Sequence, residues 1–223
     1  MMSPIVPPST KEAIVLAAER LFAEHGIEGV SLRQIGSAAG NANNSAVRYH
    51  FGSKDALIRA ILGYRLPGLH QRRIQLIERR PPEDLRAWVS CQLTTIMEQS
   101  EQPGSHYLGF IAMLHRHGRR DVFEDLPADL RESTRAFHNR LDTLLDQLPD
   151  TLRARRAAQA NIFILHAAAD RERAHAHGTP LLPFDTEVAE LTDAMTGFLQ
   201  APASPQSRTA PERAGLALWP PLL

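Results

Sequence analysis

Apolar residues recur at intervals of three and four along most of the chain, and this spacing predicts helices almost throughout. The first run contains Ile14, Ala17, Leu21 and Phe22, which share one face of a helix. The period-two alternation that is typical of strands is rare, and clusters of β-branched residues are missing. The pattern therefore predicts an all-α protein.

Two capping boxes predict where the first two helices begin. Ser9 stands three residues before Glu12, and Ser31 stands three residues before Gln34. In such a box the hydroxyl and the longer side chain each bind a backbone N–H group at the start of the helix. We therefore expect one helix from Ser9 to about Gly26 and a shorter one from Ser31.

A helix-turn-helix is predicted between residues 31 and 51. Gly40 is expected to end its first helix, and residues 41–45 are all turn or cap formers. A short helix over residues 46–51 follows, and Ser53 caps the next one. Small side chains at Ala38 and Ala39 allow the two helices to approach closely, as this motif requires.

Longer helices are expected in the rest of the chain. Pro67 and Gly68 predict a kink or a break in the first of them, and Pro127 is expected in the first turn of another. The proline content at the two ends predicts a disordered arm over residues 1–8 and a disordered tail over residues 201–223. The expected division is a helix-turn-helix domain over residues 9–52 and a larger helical domain over residues 53–200. The predicted helices of the larger domain cover residues 53–79, 83–101, 105–117, 127–148, 151–177 and 184–200.

Composition narrows the possible classes of function. The 25 basic and 25 acidic residues give a formal net charge of zero, which argues against a general nucleic-acid coat but allows a small DNA-binding module. No apolar run reaches the ~18 residues of a spanning helix, and the start lacks the pattern of a signal peptide. A cytoplasmic protein without a membrane partner is therefore expected.

Candidate chemistry for catalysis or metal binding is missing from the sequence. Cys91 is the single cysteine, so an intramolecular disulfide and a cysteine-based zinc site are excluded. His115 and His117 are two residues apart, which directs them to different sides of a helix. No nucleophile–base set and no phosphate-binding loop is present. We expect neither an enzyme nor a bound cofactor or metal.

Three motifs follow one another in the first 58 residues: AAERLFAEHG at 17–26, SLRQIGSAAG at 31–40 and YHFGSKDAL at 49–57. In order, spacing and residue type, residues 10–58 resemble the TetR/AcrR family of bacterial transcriptional regulators. Two features depart from the family: the stretch from Gly40 to Phe51 is one residue longer than usual, and Arg48 stands where tyrosine is frequent. Both fall on the expected DNA-reading surface and leave the target sequence open.

The resemblance implies an N-terminal three-helix DNA-binding domain and a larger helical C-terminal domain for ligand binding and dimerisation. The expected function is sequence-specific transcriptional regulation by a homodimer, most often repression. A small, largely apolar ligand would release the protein from its double-stranded DNA operator or change the way it binds that operator. The alternative is a DNA-binding regulator controlled by a protein partner, with no small-molecule effector.

The second helix of a helix-turn-helix meets base edges with its N-terminal residues. Asn44, Ser45 and Arg48 are the candidates for base contact, because asparagine pairs with adenine, arginine with guanine, and serine with either. Asn44 has an alternative role as a helix cap, and Arg48 has one as a phosphate contact. Candidates for phosphate contact are Thr10, Ser31, Tyr49, His50 and Lys54.

Candidates for a ligand pocket are apolar and aromatic residues with a few polar ones on the middle helices, with burial in the ordinary core as the alternative. They are Trp88, Gln92, Phe110, Met113, Leu114, His117, Phe163 and His166. Candidates for the dimer interface lie on the last two helices, where one helix is apolar on more than one side and so needs more than one partner. They are Phe163, Val188, Leu191, Met195 and Phe198.

Overall fold

The computed structural model describes residues 9–40, 45–119, 121–124 and 126–208. Within these ranges the regular structure is helical and contains no strand, which confirms the all-α expectation. None of the described helices has an apolar stretch long enough to cross a bilayer. The helices are α1 (Thr10–His25), α2 (Leu32–Ala38), α3 (Ser45–His50), α4 (Lys54–Arg79), α5 (Leu85–Ser100), α6 (Tyr107–Arg116), α7 (Asp121–Glu124), α8 (Ala128–Leu144), α9 (Asp150–Ala176), α10 (Phe184–Gln200) and α11 (Pro205–Arg208).

Both predicted capping boxes are formed. The Ser9 hydroxyl accepts from the Glu12 N–H, and the Glu12 carboxylate accepts from the Ser9 N–H at 2.8 Å. Ser31 and Gln34 make the same reciprocal pair at the start of α2. Gly26 ends α1 with φ = 73°, a left-handed conformation that a residue without a Cβ adopts easily. Local sequence signals therefore set the ends of the first two helices.

Helices α1 to α3 share a small core that continues into the body. Phe22, Ile35 and Val47 contribute one fully buried side chain from each of these helices. Helix α1 also packs against α4 and, over much of its length, against α6. The N-terminal helices are thus fastened to the larger part of the protein by α4, which continues the chain, and by α6.

The body is arranged around α5, which packs against α4, α9 and α10. Helix α6 lies between α1 on one side and α9 on the other. Leu93 and Ile96 of α5 and Phe110 of α6 are completely buried. Helix α8 closes a further side by contacting α4, α5 and α9. Like α4, α6 therefore contacts both the N-terminal helices and the body.

Three details differ from the sequence expectations. Helix α4 runs through Pro67 without a break, and a kink at this point stays a prediction. Pro67 lies on the exposed side of the helix, where water can bind the carbonyl of Gly63 that the proline leaves unpaired. Pro127 caps α8 from outside its first turn, and the short α7 precedes it without a clear sequence signal. Pro205–Arg208 forms a helical turn in the segment expected to be disordered, whereas residues 1–8 and 209–223 lie outside the described residues.

Candidate nucleic-acid interface

Helix α3 presents a row of polar side chains to solvent. Its six residues bury Val47 in the N-terminal core, and this turns Arg48, Tyr49 and His50 outward. Tyr49 is 85% exposed and stands edge-on to His50, with 5.2 Å between ring centroids. A guanidinium, a phenol and an imidazole can all donate hydrogen bonds. The outer face of α3 therefore offers the donors that contact phosphate oxygens and the acceptors on base edges.

A groove of about 720 Å³ lies between α3 and the start of α2. We call it the basic groove, because the side chains of Arg33, Arg48 and Lys54 line it, whereas Glu28 is its carboxylate among the described residues. Ser31 at the N-terminus of α2 also borders it. Local positive charge is thus concentrated beside the exposed face of α3, although the whole chain is neutral.

Lys54 has a structural partner in addition to its place in the groove. Its Nζ donates a hydrogen bond of 2.8 Å to the carbonyl of Ile27, in the turn between α1 and α2. Ser53 caps α4 immediately before it by accepting from the Ala56 N–H at 3.1 Å. The start of α4 is therefore held against the helix-turn-helix, and the ammonium group of Lys54 is positioned at the edge of the groove.

The remaining candidates for phosphate and base contact lie at helix starts or outside the described residues. Thr10 is the exposed first residue of α1. The hydroxyl of Ser31 is engaged in the capping box, where it donates to Gln34 Oε1 at 2.7 Å. Asn44 lies outside the described residues, and Ser45 is described only as the first residue of α3. The contacts of these residues with DNA stay predictions.

Arg33 and Gln34 line the basic groove but are not among the residues that the sequence predicts to contact DNA. Both belong to the first turn of α2, and the sequence predicts only a capping role for Gln34. Their position at the start of α2 is the signal that could have indicated this. Successive residues of a helix point in different directions, and one of these directions borders the groove.

A buried ion pair joins α1 to α4 and α6. Arg65 donates to the two carboxylate oxygens of Glu19, each at 2.7 Å, and Glu19 is 1% exposed. The same carboxylate accepts from the backbone N–H of His106 at 3.2 Å, next to the first turn of α6. The charge of Glu19 raises the pKa of the buried Tyr107 hydroxyl further, beyond the rise that burial itself causes.

A second buried carboxylate binds the start of α6 from the opposite side. Glu172 of α9 accepts from the Gly109 N–H at 2.8 Å, from the Leu108 N–H at 3.2 Å and from the Ser105 hydroxyl at 2.8 Å. Burial raises the pKa of Glu172, against the lowering effect of these donors, and the nearby charge of Glu19 adds to the rise. The first turn of α6 is thus held by one carboxylate from α1 and one from α9.

The far end of α6 is also connected to the N-terminal part. Arg119, which follows α6, donates to Asp55 in the first turn of α4 and to Asp121 of α7, with 2.9 Å to each carboxylate. The hydrogen bond that Arg119 donates to Asp121 is the largest cause of the raised pKa of Arg119, and the bond that it donates to Asp55 adds to the rise. Contacts at both ends of α6 therefore connect it to α1 and α4, the helices on either side of the helix-turn-helix in the chain.

The structure divides the candidate pocket residues into two groups. Trp88, Gln92, Phe110, Met113 and Leu114 are buried, whereas His117, Phe163 and His166 are exposed. The buried ones do not all face the same way: Phe110 stacks on Phe22 of α1 at 6.4 Å, and Trp88 stacks on Phe137 of α8 at 4.7 Å. Trp88 and Gln92 therefore lie on the part of α5 that meets other body helices, and a common pocket for all eight residues stays a prediction.

The dimer candidates are also divided. Val188 and Met195 are buried inside their own chain, and Leu191 is half-buried. Phe163 of α9 is 50% exposed and Phe198 of α10 is 36% exposed. Large apolar side chains exposed on two adjacent helices are typical of an interaction surface. Of the five candidates, Phe163 and Phe198 are therefore the two most available to a second chain.

Comparison with known proteins agrees with the motifs in the first 58 residues. Residues 14–61 match the family model described as bacterial regulatory proteins, tetR family. Among curated proteins, the HTH-type transcriptional repressor AcnR of Corynebacterium efficiens is 38% identical over 55 residues, which are 25% of this chain and 29% of that protein. The chain thus matches under a third of the length of this relative.

Solved structures resemble nearly the whole fold. A TetR family transcription regulator from Marinobacter aquaeolei VT8 has a TM-score of 0.56 at 16% identity, covering 85% of this chain and 94% of the other. The fatty acid degradation regulator FadR from Bacillus halodurans has a TM-score of 0.55 at 16% identity, covering 87% and 98%. At these identities the likeness concerns the fold, and it confirms a helix-turn-helix domain followed by a larger helical domain.

Proposed function

Since residues 14–61 carry the N-terminal segment of the tetR family of bacterial regulatory proteins, we propose that this chain is a sequence-specific DNA-binding transcriptional regulator that acts as a repressor. The matched family consists of regulators rather than enzymes, in agreement with the absence of a catalytic motif from the sequence. The observation that carries the proposal is the outward face of α3 beside the basic groove.

Helix α3 is the recognition helix in this proposal. Arg48 lies where the exposed face of α3 meets the basic groove, and it reads a guanine through O6 and N7. Asn44 and Ser45 read the neighbouring bases. Tyr49, His50 and Lys54 bind phosphates on either side, and Thr10 and Ser31 add phosphate contacts at two helix starts.

The regulator works as a homodimer. A single small module buries too little surface for tight specific binding, whereas two copies that contact half-sites one DNA turn apart, about 34 Å, bind together. The exposed Phe163 and Phe198 support an interface formed by α9 and α10, because burial of large apolar side chains stabilises association. Val188 and Met195 are buried within their own chain, where they lie on the same helix as Phe198 and stabilise the interface from its inner side.

A small, largely apolar ligand controls DNA binding. The supporting observation is the position of α6, whose first turn is bound by Glu19 of α1 and Glu172 of α9. A ligand that shifts α9 or α6 would also move α1, and with it the spacing of the two recognition helices in the dimer. Such a ligand acts only to the extent that it binds the two arrangements with different affinity.

Selection from random double-stranded DNA tests the proposal. The full chain is incubated with a random duplex library, the bound DNA is sequenced, and the selection is repeated at two salt concentrations. We expect a palindromic site at both, with total binding falling steeply at the higher salt because phosphate contacts release counterions. Retention of DNA without an enriched sequence at either salt concentration would contradict sequence-specific regulation.

A further inference from the structure

A buried arginine in the body has no acidic partner. Arg73 of α4 is 3% exposed, and its Nε has no hydrogen-bond partner. Within the described part of the chain no carboxylate pairs with it, and burial lowers its pKa to about 10. Among the described residues, the ring of Phe137 lies against it, with 4.8 Å between the guanidinium carbon and the ring centroid.

Other buried arginines of this protein have oxygen partners. Arg171 donates to the carboxylates of Glu101 and Glu187. Arg156 donates to two backbone carbonyls, at 2.6 and 3.0 Å. Removal of an ion from water is expensive unless an opposite charge or several hydrogen bonds compensate, and stacking on an aromatic ring offsets only part of that cost. Arg73 therefore carries a buried positive charge that a bound anion would neutralise.

The surroundings of Arg73 are aromatic. The ring of Phe137 also stacks on Trp88, whose Nε1 donates to the Phe137 carbonyl at 3.1 Å. Cys91 of α5 lies close enough to Arg73 for the arginine charge to lower the pKa of its thiol, against a larger rise from burial. Cys91 also lines a separate pocket of about 240 Å³ between α4 and α5, which holds Asp84 and Arg80 and does not include Arg73 in its lining.

From this arrangement we propose that Arg73 is the counter-charge for the acidic group of a small organic acid, so that the effector of this regulator is a monoanionic carboxylate with an aromatic or aliphatic body. The proposal rests on the ligand control proposed above and specifies the chemical class of the ligand. A single guanidinium balances one negative charge, which favours a carboxylate over a phosphate dianion. The rings of Trp88 and Phe137 provide apolar surface for the rest of the ligand.

Thermal unfolding of the full chain with matched acids and alcohols tests this inference. The probes are sodium benzoate and sodium hexanoate, compared with benzyl alcohol and hexan-1-ol at constant ionic strength. The variants are Arg73→Met, which removes the charge, and Arg79→Met, an exposed arginine on the same helix that serves as the matched control. Arg73→Lys keeps a charge without the planar guanidinium.

We expect both carboxylates to raise the unfolding midpoint of the wild type and of Arg79→Met by more than the alcohols do. Binding of the acids to Arg73→Met should weaken about tenfold or more, and Arg73→Lys should retain part of the preference for acids. Without ligand, Arg73→Met should be at least as stable as the wild type, because it loses a buried charge that has no counter-charge.

Three results would overturn the inference: equal shifts by acids and alcohols, acid shifts that survive in Arg73→Met, or no shift by either acid. DNA affinity measured in the same samples separates this inference from the proposed function. Acid binding through Arg73 that leaves DNA affinity unchanged would contradict ligand control and leave the anion site standing. DNA release by the neutral alcohols alone would contradict the anion site and leave ligand control standing.

Discussion

Glu19 and Arg65 form a two-pronged ion pair in which each carboxylate oxygen accepts one hydrogen bond of 2.7 Å from the guanidinium. The pair lies inside the protein between α1 and α4, and the backbone of His106 adds a third donor to the same carboxylate. Because both charges are almost removed from water, they depend on each other for compensation. This makes the pair the electrostatic centre of the contact between the DNA-binding helices and the body.

Breaking this pair should destabilise the protein strongly. Glu19→Gln leaves the Arg65 guanidinium buried without its counter-charge, and we expect the free energy of unfolding to fall by about 3–5 kcal/mol. Chemical denaturation of the full chain measures the change. Glu19→Met and Arg65→Met are also made singly and together; the double variant removes both charges and should lose less stability than the two single Met variants lose in sum. Additive losses would contradict a coupled buried pair.

Arg48→Ala should weaken binding to the selected operator and remove the preference for one base pair in each half-site. A good two-pronged contact to guanine contributes about 1–3 kcal/mol of discrimination. The measurement is the affinity for the operator and for duplexes with single substitutions at each position. A uniform loss on every duplex would instead assign Arg48 to phosphate contact.

Lys54→Ala provides the contrasting variant for that experiment. It should weaken all sequences alike and reduce the salt dependence of binding by about one phosphate contact. Because Lys54 also binds the Ile27 carbonyl, the unfolding midpoint of the Lys54→Ala variant should be measured in parallel to detect a loss of stability. Loss of discrimination at a single base pair in this variant would contradict the phosphate role.

Ser31→Asp should separate the capping role of Ser31 from its expected role at DNA. Aspartate is as good an N-cap as serine, so the free energy of unfolding should change by under about 0.5 kcal/mol. The new carboxylate enters the basic groove and repels phosphate, which should weaken binding of all duplexes. Ser31→Asn, a neutral cap, is the control and should bind DNA better than Ser31→Asp; equal affinities would place DNA away from this helix start.

Glu172 should make the stability of the protein depend on pH. Its pKa is raised in the folded state, so the folded protein holds a proton that the unfolded chain has already released. Stability relative to Glu172→Gln should therefore fall as pH rises from the ordinary value of 4.5 through the raised pKa. Denaturation of both proteins from pH 4 to 8 gives the difference; a difference that grows with pH would contradict the raised pKa.

Phe163→Glu combined with Phe198→Glu should produce a folded monomer. Both side chains are exposed in the single chain, so the substitutions leave its core intact while they place charges in the proposed interface. Sedimentation analysis measures the mass, and operator affinity should fall together with dimerisation. Tyr64→Glu, at another exposed aromatic on α4, is the matched control and should stay dimeric. A dimer that persists in the double variant would move the interface elsewhere.

Local signals determined the N-terminal helices and the family resemblance. A capping box joins residues three positions apart, so its partners can be read directly from the sequence at Ser9 and Ser31. The helical spacing of apolar and polar positions can also be read directly from the sequence; it buries Phe22 and Val47 and exposes Arg48. The all-α fold and the candidate recognition helix therefore followed from spacing and from motifs within residues 10–58.

Only the tertiary structure decided which distant residues meet. Glu19 and Arg65 are 46 residues apart, and Glu172 is 63 residues from the backbone N–H of Gly109 that it binds. No periodicity relates such positions, because their contact depends on how whole helices pack. Arg73 is buried without an acidic partner among the described residues, and α4 continues through Pro67; both features depend on packing in the same way. The sequence by itself determined where the helices form and which face each one buries. Packing decided which charged residues meet, because their contact depends on the relative placement of helices that are far apart in the chain.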